Sequence, residues 1–252
     1  MKTALITGAT SGIGRATARV LAKNNFKIIL CGRREDRILE LQKELLEFTE
    51  VHSLLFDVRD KKAVFDSIAS LPESFNNIDV LINNAGNAHG LDPIQTGNLD
   101  DWDAMIDINL KGLLYVSRAI IPNMVARESG HIINIGSTAA KEVYPNGNVY
   151  CATKHAVDSL NQAMRIDLNP YGIRVGAIHP GMVDTEFSTV RFKGDKEKAA
   201  KVYEGVEHPL TAEDIAESIY WTVSLPAHVN IDSMIIRPVA QAANHKVHRT
   251  GK

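Results

Sequence analysis

Short apolar runs alternate with longer amphipathic segments along almost the whole chain. We predict strands at residues 3–7, 27–31, 51–56, 78–83, 130–136, 173–178 and 233–238, and helices at roughly 12–24, 34–48, 60–70, 100–127, 148–170 and 211–224. This alternation is typical of βαβ units, and strands that are apolar on both faces need helices on both sides of a parallel sheet. We therefore predict an α/β fold with a doubly wound parallel sheet of about seven strands flanked by helices.

The pattern predicts one domain over residues 1–252, because no repeat, linker or low-complexity stretch divides it. One segment, residues 181–210 ("GMVDTEFSTVRFKGDKEKAAKVYEGVEHPL"), breaks the alternation. An interruption of that length inside a domain is more often functional than a plain connection. We expect it to be a substrate lid.

Composition removes several classes of protein from consideration. With 44% hydrophobic residues, 23% charged residues and a formal charge of −2, the chain has an ordinary core and no basic field for nucleic acid or an anionic membrane. It contains no apolar run of about 18 residues and no signal-like start, so we expect a cytoplasmic protein. Two distant cysteines and histidines without ligand spacing predict no disulfide framework and no metal site.

A glycine-rich turn follows the first predicted strand. In "TGATSGIGRAT", Gly8 permits a tight turn, Gly12 lets the backbone approach a phosphate, and Gly14 lets the next helix pack closely. Ser11 and Ile13 belong to the same turn. A strand before it and a helix after it are the context that dinucleotide binding requires. The alternative is three turn glycines without a ligand.

Tyr150 and Lys154 are four residues apart in the predicted helix 148–170. At this spacing the two polar ends lie on one face and can reach a common point. The spacing alone is equally consistent with two surface side chains. Its meaning depends on the other motifs.

Taken together, "TGATSGIG", "NNAG" at 83–86, Asn109, Ser137 and "YCATK" resemble the short-chain dehydrogenases/reductases over essentially the whole chain. The resemblance implies a single Rossmann-type domain. The stretches "HIINIGSTA", "NVYCATK", "TEFSTVRFKGD" and "LPAHVNIDSMIIRPV" are most similar to the NADP-dependent 3-hydroxy acid dehydrogenases, also described as serine or allo-threonine dehydrogenases.

The resemblance implies four catalytic residues: Ser137, Tyr150, Lys154 and Asn109. Tyr150 would exchange a proton with the substrate oxygen. An ammonium about 4 Å away would lower its pKa from about 10 towards 7. Ser137 would orient the substrate oxygen, and Asn109 would hold a water in a proton relay. Taken singly, a serine at a strand end or an asparagine in a helix is as consistent with a backbone cap.

By resemblance the cofactor is NADP. The predicted contacts are Gly8, Ser11, Gly12, Ile13, Gly14, Asp57, Val58, Asn83, Ala85, Gly86, Tyr150, Lys154, Pro180, Gly181, Val183 and Thr185. At the end of the second strand, where NAD-dependent members carry an acidic residue, the chain has Gly32 followed by Arg33 and Arg34. Two guanidiniums suit a 2′-phosphate. Alternatively, both begin a solvated helix and pair with Glu35 and Asp36.

The substrate contacts are predicted to be Ser137, Tyr150 and Arg191. A small hydroxy acid offers few atoms besides its carboxylate, and a guanidinium in the segment 181–210 fits that anion. Lys193 is the second candidate. An exposed arginine on a mobile loop or a subunit contact is the alternative for Arg191.

The predicted function is hydride transfer between NADP and the 3-hydroxyl of a small 3-hydroxy acid such as serine, allo-threonine or 3-hydroxypropionate, or the reverse reaction on semialdehydes. A broader NADPH-dependent carbonyl or 3-oxoacyl reductase is the first alternative, and a non-catalytic NADP-binding sensor is the second. The resemblance also implies a homotetramer. The expected ligands are small molecules rather than nucleic acid or membrane.

Overall fold

The structure is a computed structural model that describes residues 1–251. Its main strands are β1 (Lys2–Thr7), β2 (Phe26–Gly32), β3 (Val51–Leu55), β4 (Val80–Asn83), β5 (His131–Ile135), β6 (Arg174–Pro180) and β7 (Ser233–Ile236). They form one parallel sheet in the order β3-β2-β1-β4-β5-β6-β7. The predicted α/β sheet and all seven predicted strands are confirmed.

Helices cover both faces of this sheet. They are α1 (Gly12–Lys23), α2 (Glu35–Leu45), α3 (Lys61–Ala69), α4 (Leu99–Ile106), α5 (Leu113–Ala126), α6 (Asn148–Leu168), α7 (Phe187–Arg191), α8 (Lys196–Tyr203) and α9 (Ala212–Ser224). Apolar residues of α1, α2 and α9 fill the core on one face, and those of α3, α5 and α6 fill the core on the other. Strands covered on both sides explain why the sequence shows continuous apolar runs.

Three features differ from the predicted elements. The expected helix 100–127 is interrupted by a π-helical stretch, Asp107–Gly112, between α4 and α5. The expected irregular segment 181–210 contains the short helices α7 and α8. After β7, the strands β8 (Gln241–Ala243) and β9 (Lys246–Val247) form an antiparallel hairpin that the apolar pattern does not reveal.

The strand order places a candidate site. β1 and β4 are neighbours, and the chain winds outward from them in opposite directions. Ligands of doubly wound sheets bind at such a switch point, outside the carboxyl ends of the strands. The same edge receives the chain after β1, β2, β4, β5 and β6, so motifs far apart in sequence meet there.

Candidate active site

A cavity of about 630 Å³ opens along the carboxyl edge of the sheet. Most of the predicted site residues line it: Gly8, Ser11, Gly12, Ile13, Arg33, Arg34, Asp57, Val58, Ala85, Gly86, Ser137, Tyr150, Lys154, Pro180, Gly181, Val183, Thr185 and Arg191. The structure therefore brings together motifs that span residues 8 to 191.

Two predicted contacts lie behind the wall of the cavity. A Cβ on Gly14 would come within 2.4 Å of the Gly8 carbonyl oxygen, so this glycine lets α1 pack against the turn. The buried Asn83 amide donates to Ser117 Oγ at 2.9 Å and to Asn134 Oδ1 at 3.0 Å. Asn83 joins β4 to β5 and α5, while its neighbours Ala85 and Gly86 face the cavity.

Asn109 also lies behind the wall, inside the π-helical stretch. Its side chain accepts from the Asn87 backbone N–H at 2.8 Å and donates to the Asn87 carbonyl at 2.8 Å and to Thr153 Oγ1 at 3.1 Å. This amide fixes the chain that follows β4 to α6. π-Helical turns are frequently found at functional sites, and this one places Asn109 next to Gly86 and Lys154.

The first turn forms a cradle for an anion. Gly8 and Gly12 have φ values of +66° and +49°, in the left-handed region that favours glycine. Ser11 precedes α1 but makes no side-chain cap to it, so the first backbone N–H groups of α1 face the cavity without that acceptor. Such N–H groups and the helix dipole attract phosphate. These residues fit a dinucleotide.

Arg33 and Arg34 stand at the outer end of the cavity. Arg34 donates to Thr10 Oγ1 at 2.7 Å and to Ser11 Oγ at 2.9 Å, which directs its guanidinium to the glycine turn. The two arginines form ion pairs with Asp57 at 3.1 Å and Glu186 at 3.2 Å. These partners replace Glu35 and Asp36, the neighbours weighed as partners from the sequence.

Asp57 closes the same end of the cavity with a fixed negative charge. Burial acts to raise its pKa, but hydrogen bonds from the Arg59 side chain and backbone, with the charge of Arg33, lower it to about 2. The carboxylate stays ionised at neutral pH. It is available as an acceptor on the wall where an adenine contact is predicted.

At the inner end, Tyr150 lies near Ser137 and packs against Phe187 of the segment 181–210. Burial raises the pKa of this phenol well above its ordinary value, and the nearby Tyr144 adds to the rise. The charge of Arg191 and a hydrogen bond with Ser137 act in the opposite direction. The expected lowering towards 7 by Lys154 is therefore wrong for the groups that the chain itself supplies.

Lys154 is buried, and its Nζ donates to the Ile135 carbonyl oxygen at 2.9 Å. Nζ lies over the Tyr150 ring, 6.0 Å from the ring centre. Burial lowers the pKa of Lys154 to about 8, so the ammonium still dominates at neutral pH. It occupies the cavity between Tyr150 and Gly86, the position predicted for a cofactor contact.

Arg191, at the end of α7, covers the inner end of the cavity. Its guanidinium carbon lies 5.0 Å from the Tyr150 ring centre, 5.4 Å from that of Phe187 and 5.9 Å from that of Tyr144. Nη2 donates to the Tyr144 hydroxyl at 2.7 Å, while the buried Nε has no hydrogen-bond partner. The structure thus holds a cation beside Tyr150.

Lys193, the second candidate for the substrate anion, is placed elsewhere. Its Nζ pairs with Asp101 at 2.9 Å, and its side chain is 62% exposed. It does not line the cavity. Two cations two positions apart in the chain are therefore placed differently: Arg191 lines the cavity and Lys193 lies at the surface.

Several other residues of the cavity could not be identified from a strong sequence signal. Tyr144 and Phe187 surround Arg191, and Glu186 binds both Arg34 and Arg37. Gln241, Asn244, Val247 and Arg249 come from the C-terminal hairpin and the chain after it. Aromatic residues around "YCATK" and a polar C-terminal stretch were the available signs.

The described residues were also compared with the requirements of a membrane-spanning helix and of a metal site. No helix within residues 1–251 is long and apolar enough to cross a membrane. Over the same residues, no three His, Cys, Asp or Glu side chains are grouped as a metal site would need.

Comparisons with known proteins agree with this arrangement. The model of the short chain dehydrogenase family matches residues 2–196. The NADP-dependent 3-hydroxy acid dehydrogenase YdfG of Salmonella typhi is 49% identical over 98% of this chain and 99% of its own length. Sulfoacetaldehyde reductase 2 of Chromohalobacter salexigens is 45% identical over 94% of each chain.

A solved structure is also similar to this chain, both in sequence and in fold. The closed form of serine dehydrogenase complexed with NADP⁺ has 46% identity and a TM-score of 0.92, covering 98% of this chain and all of that one. Such identity over nearly full length, with the glycine turn and the Ser137, Tyr150 and Lys154 group in one cavity, leads to one assignment. The chain belongs to the short-chain dehydrogenase family.

Proposed function

We propose that this protein is an NADP-dependent oxidoreductase acting on the 3-hydroxyl of a small 3-hydroxy acid, such as serine, allo-threonine or 3-hydroxypropionate, and in reverse on the semialdehyde. The observation that carries the proposal is the position of Arg191. A fixed cation stands beside the phenol that would exchange the proton. A substrate with an anionic group one carbon away from its reacting carbon fits that pair.

Binding of NADP is supported at the outer end of the cavity. The glycine turn suits the pyrophosphate, and Arg33 with Arg34 suits the 2′-phosphate. The names of the similar proteins include NADP. When bound, NADP supplies the ring carbon that accepts or donates the hydride.

The chain's own residues would manage the proton. Tyr150 and Ser137 line the same cavity, and the Tyr150 hydroxyl would donate to, or accept from, a substrate oxygen that Ser137 orients. The phenolate needs positive charge near it, because burial favours the neutral form. Arg191 supplies part of that charge, and Lys154 with the cationic ring of the oxidised cofactor would supply more.

Arg191 would also select the substrate. Its three aromatic neighbours shield part of the guanidinium, and a lower local dielectric strengthens a charge-assisted hydrogen bond. Arg191 lines the cavity and its one side-chain hydrogen bond uses Nη2, which leaves donor capacity for a carboxylate. A dinucleotide reaching from Arg33 to Tyr150 would take most of the 630 Å³, which favours a substrate of few atoms over a long acyl thioester or a steroid.

A second candidate is reduction of a small sulfonated aldehyde. The 45% identical relative is named for that activity. Sulfoacetaldehyde and a 3-oxo acid both carry an anionic group one carbon away from the carbonyl carbon. Arg191 can pair with either, so the two candidates share a recognition group and differ in the shape of the anion.

The decisive experiment is replacement of Arg191 by Ala. We expect kcat/KM for serine or 3-hydroxypropionate to fall by roughly ten- to a hundredfold, about 1.4 to 2.7 kcal/mol. The charge also acts on Tyr150, so part of the loss will extend to every substrate. The measurement is therefore the ratio of kcat/KM between an anionic substrate and an uncharged short alcohol or aldehyde, followed by NADPH absorbance.

Lys193→Ala is the matched control, because it removes a cation from the same segment outside the cavity. It should leave both rates within about twofold of the wild type. An Arg191→Ala variant that keeps the wild-type ratio would show that Arg191 does not bind the carboxylate. A wild-type preference for the uncharged compound would favour the broader carbonyl reductase, and no turnover with any of these compounds would favour the sensor.

Assembly as a homotetramer remains part of the proposal. Large apolar side chains are exposed on α5, α6 and the C-terminal region, including Leu114, Ile166 and Val239. Such surface supports association between copies. Light scattering should give about four times the 27.7 kDa of one chain, and a monomer would contradict it. Location in the cytoplasm stays a prediction.

A further inference from the structure

We infer that Lys141, Asp158 and the buried His179 form an array that positions Ser137, with His179 holding its backbone from behind. The inference deepens the proposed function and rests on it for the role of Ser137 towards the substrate. None of the three side chains lines the cavity. They would act through Ser137, as positioning residues.

The first observation is the contact between His179 and Ser137. The imidazole Nδ1 lies 3.4 Å from the Ser137 backbone nitrogen and 3.2 Å from its carbonyl oxygen. The ring is fully buried. A Cβ at position 136 would lie 2.3 Å from Nδ1, so Gly136 is needed for the ring to reach this place.

The second observation is that the sheet does not hold Ser137 there. The Gly136 N–H donates to the Ile178 carbonyl at 2.8 Å, and the registered pairing of β5 with β6 stops at Ile135 and Ile178. β6 ends in Pro180, which has no N–H with which to continue the ladder. The side chain of His179 makes the contact at the point where backbone pairing ends.

The third observation is that two charged side chains, Asp158 and Lys141, lie behind the imidazole ring. His179 Nε2 lies 3.3 Å from Asp158 Oδ1, although not aligned as a straight hydrogen bond. The other carboxylate oxygen of Asp158 accepts from Lys141 Nζ at 2.7 Å, and Gln162 Nε2 lies 3.4 Å from it. Asp158 extends the stripe of Tyr150 and Lys154 by one more helical step of four residues.

The charges of Asp158 and Lys141 favour one tautomer of the His179 imidazole. Burial lowers the pKa of His179 to about 4, helped by the charge of Lys141 and opposed by that of Asp158, so the ring is neutral at pH 7. A neutral imidazole has one donor and one acceptor nitrogen. The facing carboxylate repels a lone pair and favours the proton on Nε2. Nδ1 then accepts from the Ser137 N–H.

The consequence for catalysis is geometric. Ser137 Oγ accepts from the Ala139 N–H at 3.1 Å and lines the cavity together with Tyr150. Its donor direction therefore depends on where the backbone of Ser137 lies. An error of about 1 Å in a positioning group can cost about a hundredfold in rate.

Two substitutions separate positioning from filling space. In His179→Asn the amide oxygen takes nearly the place of Nδ1 and still accepts from Ser137. In His179→Gln the amide lies nearer the place of Nε2, so it keeps the contact with Asp158 and leaves the Ser137 N–H without its acceptor. We expect kcat within about threefold of the wild type for Asn and a ten- to hundredfold lower kcat for Gln.

The measurements are kcat and KM with a 3-hydroxy acid, NADPH binding by fluorescence titration, and the melting temperature of each variant. NADPH affinity should stay within about twofold in both variants, because His179 does not line the cavity. Equal kcat values in the two variants, or parallel loss of kcat and NADPH affinity, would overturn the positioning role.

A second measurement does not depend on how the variants fold. In the wild type, ¹⁵N spectra of labelled histidine should show His179 neutral with its proton on Nε2 at pH 7. A proton on Nδ1 would overturn the inference. If the wild type turns over none of the anionic or uncharged compounds, the proposed function fails, and the tautomer still decides whether the array is built as inferred.

Discussion

Replacing Tyr150 with Phe should lower kcat by several orders of magnitude while NADPH affinity changes little. General acid–base catalysis by a positioned side chain contributes about 10² to 10⁴-fold, and the substitution removes the hydroxyl that would move the proton. The ring, its packing against Phe187 at 5.7 Å and its contact with Arg191 are kept. Single-turnover loss of NADPH absorbance and fluorescence titration measure the two quantities separately.

Tyr144→Phe is the matched control for this experiment. Tyr144 lines the same cavity and its hydroxyl also makes a hydrogen bond, but to Arg191 rather than in the place of the proposed proton transfer. We expect kcat/KM of the Tyr144→Phe variant to fall by about tenfold or less, and only with anionic substrates. Near-normal turnover by Tyr150→Phe would remove the proton-transfer role from that residue.

Lys154 should behave differently from Tyr150. Its ammonium is assigned both to cofactor binding and to the field around the phenol, so Lys154→Ala should lower kcat and weaken NADPH binding together. The pKa of Lys154 near 8 predicts that NADPH affinity declines as pH rises above that value. Loss of kcat with unchanged affinity would restrict Lys154 to the proton step.

The sheet could be predicted because its strands are covered on both faces. Ile28, Leu30, Leu81 and Ile133 are fully buried, and runs of such residues are visible without knowing their partners. The roles of Gly8 and Gly12 could be predicted as well, because a backbone with positive φ favours glycine whichever residues surround it. The parallel sheet and the glycine turn could therefore both be predicted from local sequence patterns.

The remaining parts depend on contacts between distant segments. The pairing of Arg34 with Glu186 joins residues 152 positions apart, and Arg191 reaches Tyr144 across 47. The π-helical stretch arises where Asn109 binds the backbone of Asn87, which no helical periodicity encodes. The pKa of Tyr150 was mispredicted for the same reason. Burial and Tyr144 raise this pKa, and the charge that opposes them comes from Arg191, whereas the spacing rule named Lys154.

The second large effect concerns the choice of cofactor. If Arg33 and Arg34 bind the 2′-phosphate, replacing both with Ala should raise KM for NADP by at least about a hundredfold and leave KM for NAD nearly unchanged. Each charge-assisted hydrogen bond contributes about 1.5 to 3 kcal/mol, and about 1.4 kcal/mol corresponds to tenfold. We take the lower end, because both side chains are exposed by 40% or more and already pair with Asp57 and Glu186.

Arg37→Ala distinguishes phosphate binding from general support of this surface. Arg37 pairs with the same Glu186, at 2.8 Å, but does not line the cavity. Its removal should leave the preference for NADP over NAD within about twofold of the wild type, measured as the ratio of kcat/KM for the two cofactors. Equal losses with NADP and NAD in the double variant would mean that Arg33 and Arg34 hold Asp57 and Glu186 in place instead. A selective loss with NADP would make the 2′-phosphate the group that these two guanidiniums bind, since it is the one group by which the cofactors differ.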